Sequence, residues 1–462
     1  MKKIYSRIAA LALMLASVNA IAQDLESAFF TDGYLYRHEM NPAIENSRNY
    51  VSMLALGNMN FGMSGNLGIN DVMFRRGDKL VLFTNPQVDA NEFLSGISDK
   101  NKLNSNIRFN IMGAGFKAWG GYNTVGINLR VNANMVIPKS LLELAKNGLT
   151  NQTYDVGDLG AHADSYVEIA LGHSRKINEK WRVGGKLKFL VGAGSIDADV
   201  SNATLTLGQD GYTAQVDAEI NNNIEGLEFE TKQSTHNYNT QDGKTVKRKV
   251  FNGFDFDSFK ANGFGLAFDL GGEYKINDDW RVLASVLDLG FISWKNTRLA
   301  ATHGELRTDD KVFSVDDDDD NSFSNEWDRL GDELASLYEL EDKGDVGGRT
   351  TALAATMNIG GEYVFPYYRN LTFGLMNTTR INGKYTWTNF RLSANVAPLK
   401  WLSGGINFGL GTFGPSFGWI LNIHPKGFNL FLGMDHTMGK TAKQGVPLSS
   451  NAEVSMGINF PF

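Results

Sequence analysis

Asn451-Ala-Glu-Val-Ser-Met-Gly-Ile-Asn-Phe-Pro-Phe462 decides how this chain folds. Ala452, Val454, Met456, Ile458, Phe460 and Phe462 fall on one face of an extended segment, and Glu453, Ser455, Gly457, Asn459 and Pro461 on the other. Successive strand side chains point to opposite faces, so one side is apolar and the other polar or small. The edge of a water-soluble sandwich would read the same way. Two features tip the balance: the segment ends on an aromatic residue, and the pattern recurs upstream in many runs of similar length. A ring of strands in a bilayer requires that repetition, because lipid cannot satisfy an open sheet edge.

Fourteen such runs can be marked. They are Tyr50–Met59, Asn106–Phe116, Tyr122–Asn134, Ser165–Ser174, Trp181–Val191, Gly263–Tyr274, Trp280–Phe291, Ala352–Tyr363, Leu371–Arg380, Tyr385–Val396, Trp401–Gly411, Pro415–Ile423, Phe428–Asp435 and the C-terminal segment. An even number leaves both chain ends on one side. Short turns join alternate pairs, and Arg175-Lys-Ile-Asn-Glu-Lys-Trp-Arg-Val183 repeats as Tyr274-Lys-Ile-Asn-Asp-Asp-Trp-Arg-Val282. Barrels keep short turns on the periplasmic side and long loops outside. The sequence therefore predicts an all-β, 14-stranded antiparallel transmembrane barrel, residues 50–462, with long outer loops near 60–105, 135–164, 192–262 and 293–351. Short helices are expected at Asn91–Ile97 and Pro138–Gly148, and a longer one at Glu326–Glu341.

Composition agrees. The 462 residues include 50 Gly, 9 Pro and 11% aromatics, which suits strands that turn often and carry aromatic girdles. Past the N-terminus no apolar run reaches the 18 or so residues of a membrane helix. Met1–Ala22 reads as an export signal, with Lys2, Lys3 and Arg7, an apolar middle, and Ala20-Ile21-Ala22 as the cleavage site before Gln23. The destination is then the Gram-negative outer membrane. The chain has no Cys, which excludes a lipid-anchored lipoprotein and any disulfide framework. Losing the three leader cations takes the formal charge from −7 to −10, a poor match to nucleic acid.

Gln23–Asn49 is polar and non-periodic and contains Asn41-Pro42-Ala43, so a periplasmic or plug segment is expected there. With Tyr36-Arg37, Phe116-Lys-Ala-Trp-Gly120, Gly172-His-Ser-Arg175 and Asp288-Leu-Gly290, nearly the whole mature chain resembles a family of outer-membrane barrels with no assigned function. More distantly, fourteen strands behind a plug resemble the FadL-type long-chain fatty-acid transporter superfamily, which includes the barrel subunit of the type IX secretion machinery. That resemblance implies a plugged lumen, an outer groove and a lateral opening for greasy ligands.

The inward positions Arg108, Arg130, Glu168, Arg182, Lys186 and Lys188 form the candidate ligand or lumen set. In-register pairing about Asn178 is expected to set Glu168 opposite Lys188. Lumen charge is ordinarily structural, with plug acids such as Asp32, Glu39 and Glu45 as partners; the alternative is a cationic patch that receives a carboxylate. Asp288 breaks the alternation between Val286 and Leu289 and predicts a bulge, which either fits barrel curvature or, as the FadL-type resemblance implies, marks a candidate lateral opening.

The Asp316–Asp320 run fails as a calcium loop. Asn321 stands where Gly is required and Trp327 where the bidentate Glu belongs, so no metal site is assigned. No catalytic motif is present, and His173 and Ser174, adjacent on a strand, face opposite ways; neither an enzyme nor a cofactor is expected. Two functions remain: passive passage of small hydrophobic or amphipathic molecules, or a docking barrel whose outer loops hold a protein partner, with membrane lipid the other contact.

Overall fold

In a computed structural model, residues 25–77, 79–148, 153–207, 212–234, 238–239, 245–307, 339–436 and 451–462 are described. The barrel strands are β1 (Tyr50–Ser52, resuming as Met59–Gly65), β2 (Lys100–Ala118), β3 (Gly121–Pro138), β4 (Leu159–Lys176), β5 (Trp181–Leu207), β6 (Gly263–Lys275) and β7 (Trp280–Trp294). Then come β8 (Arg349–Ala352, resuming as Ala355–Val364), β9 (Leu371–Ile381), β10 (Trp387–Leu399), β11 (Leu402–Gly411), β12 (Gly414–Ile423), β13 (Asn429–Met434) and β14 (Ala452–Pro461). Each pairs antiparallel with its sequence neighbour. β14 closes on β1 through Tyr50↔Pro461, Val51↔Phe460 and Met59↔Met456.

The period-2 alternation explains which way each side chain points. Glu453, Ser455 and Asn459 of β14 are buried inside, while Met456, Phe460 and Phe462 are exposed outside. Leu375, Leu392 and Phe408 continue the apolar skin on neighbouring strands. Rings crowd the short-turn end: Trp181 lies 4.7 Å from Tyr274, and Trp280 lies 4.6 Å from Tyr363. The repeated Lys-Ile-Asn-x-x-Trp motif has a local cause. Asn178 Oδ1 accepts from the Lys180 and Trp181 amides at 2.9 and 2.8 Å, and Asn277 Oδ1 does the same for Asp279 and Trp280. These Asx turns satisfy the amides that the ladder leaves free. Among the described residues no helix is long and apolar enough to cross a membrane.

The long connections are shorter loops and longer strands than the sequence predicts. β5 runs 27 residues, and Tyr212–Asn222 returns along it. Arg298–Arg307, Glu341–Asp345, Lys249–Lys260 and Glu225–Gln233 extend that sheet beyond the ring. The expected outer loop near 60–105 narrows, because β1 continues to Gly65 and β2 starts at Lys100. The loop near 135–164 narrows likewise, since β3 reaches Pro138 and β4 starts at Leu159.

Helix α1 (Ala90–Leu94) overlaps the first short stretch predicted and ends before Ile97, α2 (Lys139–Asn147) lies within the second, and Phe93 and Leu142 share an outer apolar cluster with Leu67, Val88 and Ile97. Asp316–Asp320 lies outside the described residues, as does most of Glu326–Glu341; Glu341 itself opens a strand.

Leu392, mid-strand and 59% exposed, tests the outer skin. Leu392→Arg is expected to destabilise the barrel by about 2–4 kcal/mol in vesicle refolding against urea, and Leu399→Arg near the strand end by about 0–1 kcal/mol. Equal effects would mean that this face does not meet hydrocarbon.

Candidate functional site

Residues 25–49 lie inside the ring and fill its short-turn half. Leu25, Phe29, Phe30, Tyr34, Leu35, Tyr36, Met40 and Ile44 pack with the inward-facing Leu283, Met376, Ile420 and Phe431. Polar contacts fix the segment around the wall. The Glu26 and Ser27 amides donate to Asp435 at 2.6 and 2.8 Å, Tyr36 donates to Asn459 Oδ1 at 2.7 Å, and Ser285 and Asn358 donate to Met40 O at 2.6 and 2.9 Å.

Asn41-Pro42-Ala43 is part of this docking. Asn41 Nδ2 donates to Gly272 O at 3.1 Å and to Ala284 O at 3.3 Å, while its Oδ1 accepts from Ala43 N at 2.9 Å. The wall is glycine where the tripeptide touches it. A Cβ on Gly184 would sit 2.1 Å from Pro42 O, and one on Gly271 would sit 2.1 Å from Asn41 Oδ1. Only a residue without a side chain admits so close an approach.

Above this plug lies a buried charge network. Glu39 of the plug pairs with Arg108 and, at 2.9 Å, with Lys186. Arg130 meets Glu168 at 3.4 Å, and Lys188 meets Asp288, Asp269 and Glu168 at 2.6, 2.8 and 3.7 Å. Arg380 adds a fifth cation, donating to Asn132 Oδ1 and Thr356 Oγ1. Between plug and network a cavity of about 30 Å³ is lined by Glu39, Arg130, Lys188 and Asp288, room for about two waters.

Five of the six sequence-selected lumen residues meet here: Arg108, Arg130, Glu168, Lys186 and Lys188. Arg182 stands apart near the short-turn rim, paired with Glu45. The expected register is two residues out. Lys188 faces Ala170, and Glu168 faces Leu190, because the Asn178 turn pairs Lys176 with Arg182. The Lys188–Glu168 contact survives as a diagonal one. Glu39 and Glu45 of the plug are partners, whereas Asp32 contributes its carbonyl, to Ser403 and Asn422. Asp269 and Arg380 escaped the sequence reading, although both sit at inward parity. Among the described residues no His, Asp and Glu are grouped to hold a metal.

Asp288 has φ +59° and forms a bulge: Phe268 pairs with Leu289, but Leu270 pairs with Val286. The extra residue switches parity. Leu283, Ser285 and Leu287 are buried inside before it, Ile292 and Trp294 after it. These last two join Tyr166, Leu190 and Ala267 in an apolar patch, with Leu353 packed against it. The β7–β8 ladder stops at Leu287↔Thr356 and resumes at Phe291↔Ala352, with Leu353 N donating to Gly290 O at 2.9 Å between them. A third barrier spans the outer mouth, where Lys384 reaches Asp199 at 2.6 Å and donates to Leu159 O.

Glu39→Gln leaves Arg108 and Lys186 facing a neutral amide, which is expected to cost plug docking about 3–5 kcal/mol. Rapid trypsin cleavage after Arg37 and Arg48 in the folded variant, against resistance in the wild type, is the readout. Burial, with Lys186 and Arg108 nearby, pushes the His38 imidazole down to about 3. Burial alone would raise the Glu39 carboxyl, but Arg108 and Lys186 hold it well below its ordinary value. The folded plug thus disfavours a proton on His38, so docking is full above the ordinary 6.5 and weakens as pH falls from there toward about 3. Glu39's share is retained down to the carboxylate range. Protease resistance is therefore expected to decline below pH 6.5, and His38→Gln to flatten the decline.

No curated protein matches this chain in sequence. The chain is similar at low identity to a number of solved structures, among them these three. The toluene transporter TbuX of Ralstonia pickettii is 10% identical, with 96% of this chain and 95% of that one covered and a TM-score of 0.39. The toluene transporter TodX of Pseudomonas putida is 8% identical, with 91% and 90% covered and a TM-score of 0.37. A Pseudomonas aeruginosa FadL homologue is 9% identical, with 96% and 98% covered and a TM-score of 0.35. Residues 42–435, most of the chain, match one family throughout, and the protein belongs to that family of unknown function, DUF5723.

Proposed function

We propose that this barrel is a gated outer-membrane conduit for small hydrophobic or amphipathic molecules, which pass between lumen and bilayer through the wall at Asp288. One observation carries the reading. The lumen is crossed at three levels, by the plug, the charge network and the Lys384 turn, while the wall beside an apolar lumenal patch has a gap in its β7–β8 pairing between Leu287↔Thr356 and Phe291↔Ala352, crossed by the Leu353 N–Gly290 O bond. A water-filled diffusion pore needs the opposite arrangement, an open axis and an unbroken wall.

A greasy solute can shelter against Ile292, Trp294 and Leu353, where the patch meets the break. The TbuX and TodX barrels are named as toluene transporters, but the proposal rests on the blocked axis and the broken ladder. Docking of a protein partner has its own support in the sheet that Tyr212–Asn222, Arg298–Arg307 and Lys249–Lys260 build beyond the ring. That sheet offers surface and does not explain the wall defect, so passage is the preferred reading.

A cysteine-free chain allows a clean test. Leu289→Cys with Ala354→Cys places two thiols across the interrupted ladder. Oxidation is expected to depress uptake of a hydrophobic dye by vesicles or cells several-fold, and reductant to restore it; uptake indifferent to the staple, or free passage of a hydrophilic sugar, would overturn the proposal.

A further inference from the structure

A separate cavity lies neither in the charge network nor at the wall break. It measures about 350 Å³ and opens at the short-turn end, between the plug and the rims of β6 to β10. Phe30, Val364 and Ala397 supply apolar wall, and Arg37, Arg281 and Thr372 supply donors. The acids near these donors are mostly committed: Glu362 and Glu273 both pair with Arg281, Asp279 pairs with Arg369, and Asp278 with Lys275. Arg37 differs. Among the described residues its guanidinium has no carboxylate within ion-pair distance, and its Nε is buried without a hydrogen-bond partner. Thr372 Oγ1, on the same cavity, is likewise buried and unpartnered. Asp32 lines the same cavity, is exposed, and among the described residues its carboxylate is not held by another side chain.

A guanidinium fork and a hydroxyl beside apolar wall match one ligand chemistry, a carboxylate on a compact apolar body. We propose that this cavity is a binding site for small amphipathic monocarboxylates, with Arg37 gripping the carboxylate, Thr372 donating a further hydrogen bond, and Phe30, Val364 and Ala397 covering the apolar part. The site stands on its own geometry and does not need the barrel to carry cargo. Its volume suits a single ring with a short chain. Asp32 opposes the ligand, since it offers Arg37 an internal carboxylate instead.

The test is calorimetric titration of the whole folded protein in non-ionic detergent with 3-phenylpropionate, its uncharged amide and acetate. The acid is expected to bind about tenfold more tightly than the amide or acetate, a difference that Arg37→Gln removes. Thr372→Val weakens the acid to a lesser degree, and Asp32→Asn tightens it. Heat-modifiable gel migration reports folding of each variant, and should Arg37→Gln not fold, the Thr372 and Asp32 variants carry the test. No preference for acid over amide, acetate binding as tightly as 3-phenylpropionate, or wild-type affinity in Arg37→Gln would each overturn the site. The dye-uptake staple is read separately, so either proposal can fail alone.

Discussion

Backbone amides and carbonyls that face hydrocarbon have no water to turn to, and every other feature of this molecule follows from that. The ring must close, so β14 returns to β1, and the ladder must be repaired wherever it breaks. β1 shows how. Met53–Asn58 leaves the strand conformation, with Ala55 at φ +58°, yet Met53 N donates to Ile458 O, Ala55 N to Ile111 O, and Ile458 N to Leu56 O. That break is sewn to both neighbours. Beside Asp288 the gap in the β7–β8 pairing is crossed by the Leu353 N–Gly290 O bond.

Closing a ring of this size creates a second problem, an interior too wide for wall side chains to fill. The chain solves it with its own N-terminal segment and with ions. Burying charge is costly unless each is matched and hydrogen-bonded. Here Lys188 is shared among three carboxylates, and Asn128 donates to Glu168 at 2.9 Å. Such a network gives less stability than apolar packing but binds many strands to one arrangement. Because Glu39 comes from the plug, the network ties it to β2 and β5. Glycines at Gly184 and Gly271 let its backbone lie directly on the wall.

The bulge links these two themes. Inserting Asp288 places a carboxylate beside Lys188, and the same extra residue turns Ile292 and Trp294 inward, so one insertion completes the ionic centre and makes the apolar patch above it. Its amide in turn donates to Asp269 at 2.8 Å. An ion pair and a wall defect are thus built at one place.

Much of the ring was legible in the residues. Alternation is a local property, so Asn451–Phe462 declared its two faces without reference to any partner, and Asn178 and Asn277 declared their turns. The irregularity at Asp288 was legible for the same reason. Partnership was not. Glu39 and Arg108, Lys188 and Asp288, Glu26 and Asp435 are far apart in the chain, and the two-residue difference in the β4–β5 register shows how a turn detail redirects such pairs. Arg37 looked like any polar plug residue until its neighbours were found engaged elsewhere. The sequence by itself determined strand number, facing and closure, because period-2 burial is set residue by residue. Only the tertiary structure decided which charges meet, where the plug sits and that Arg37, among the described residues, has no carboxylate at ion-pair distance, because those depend on distances that exist only once the ring has closed.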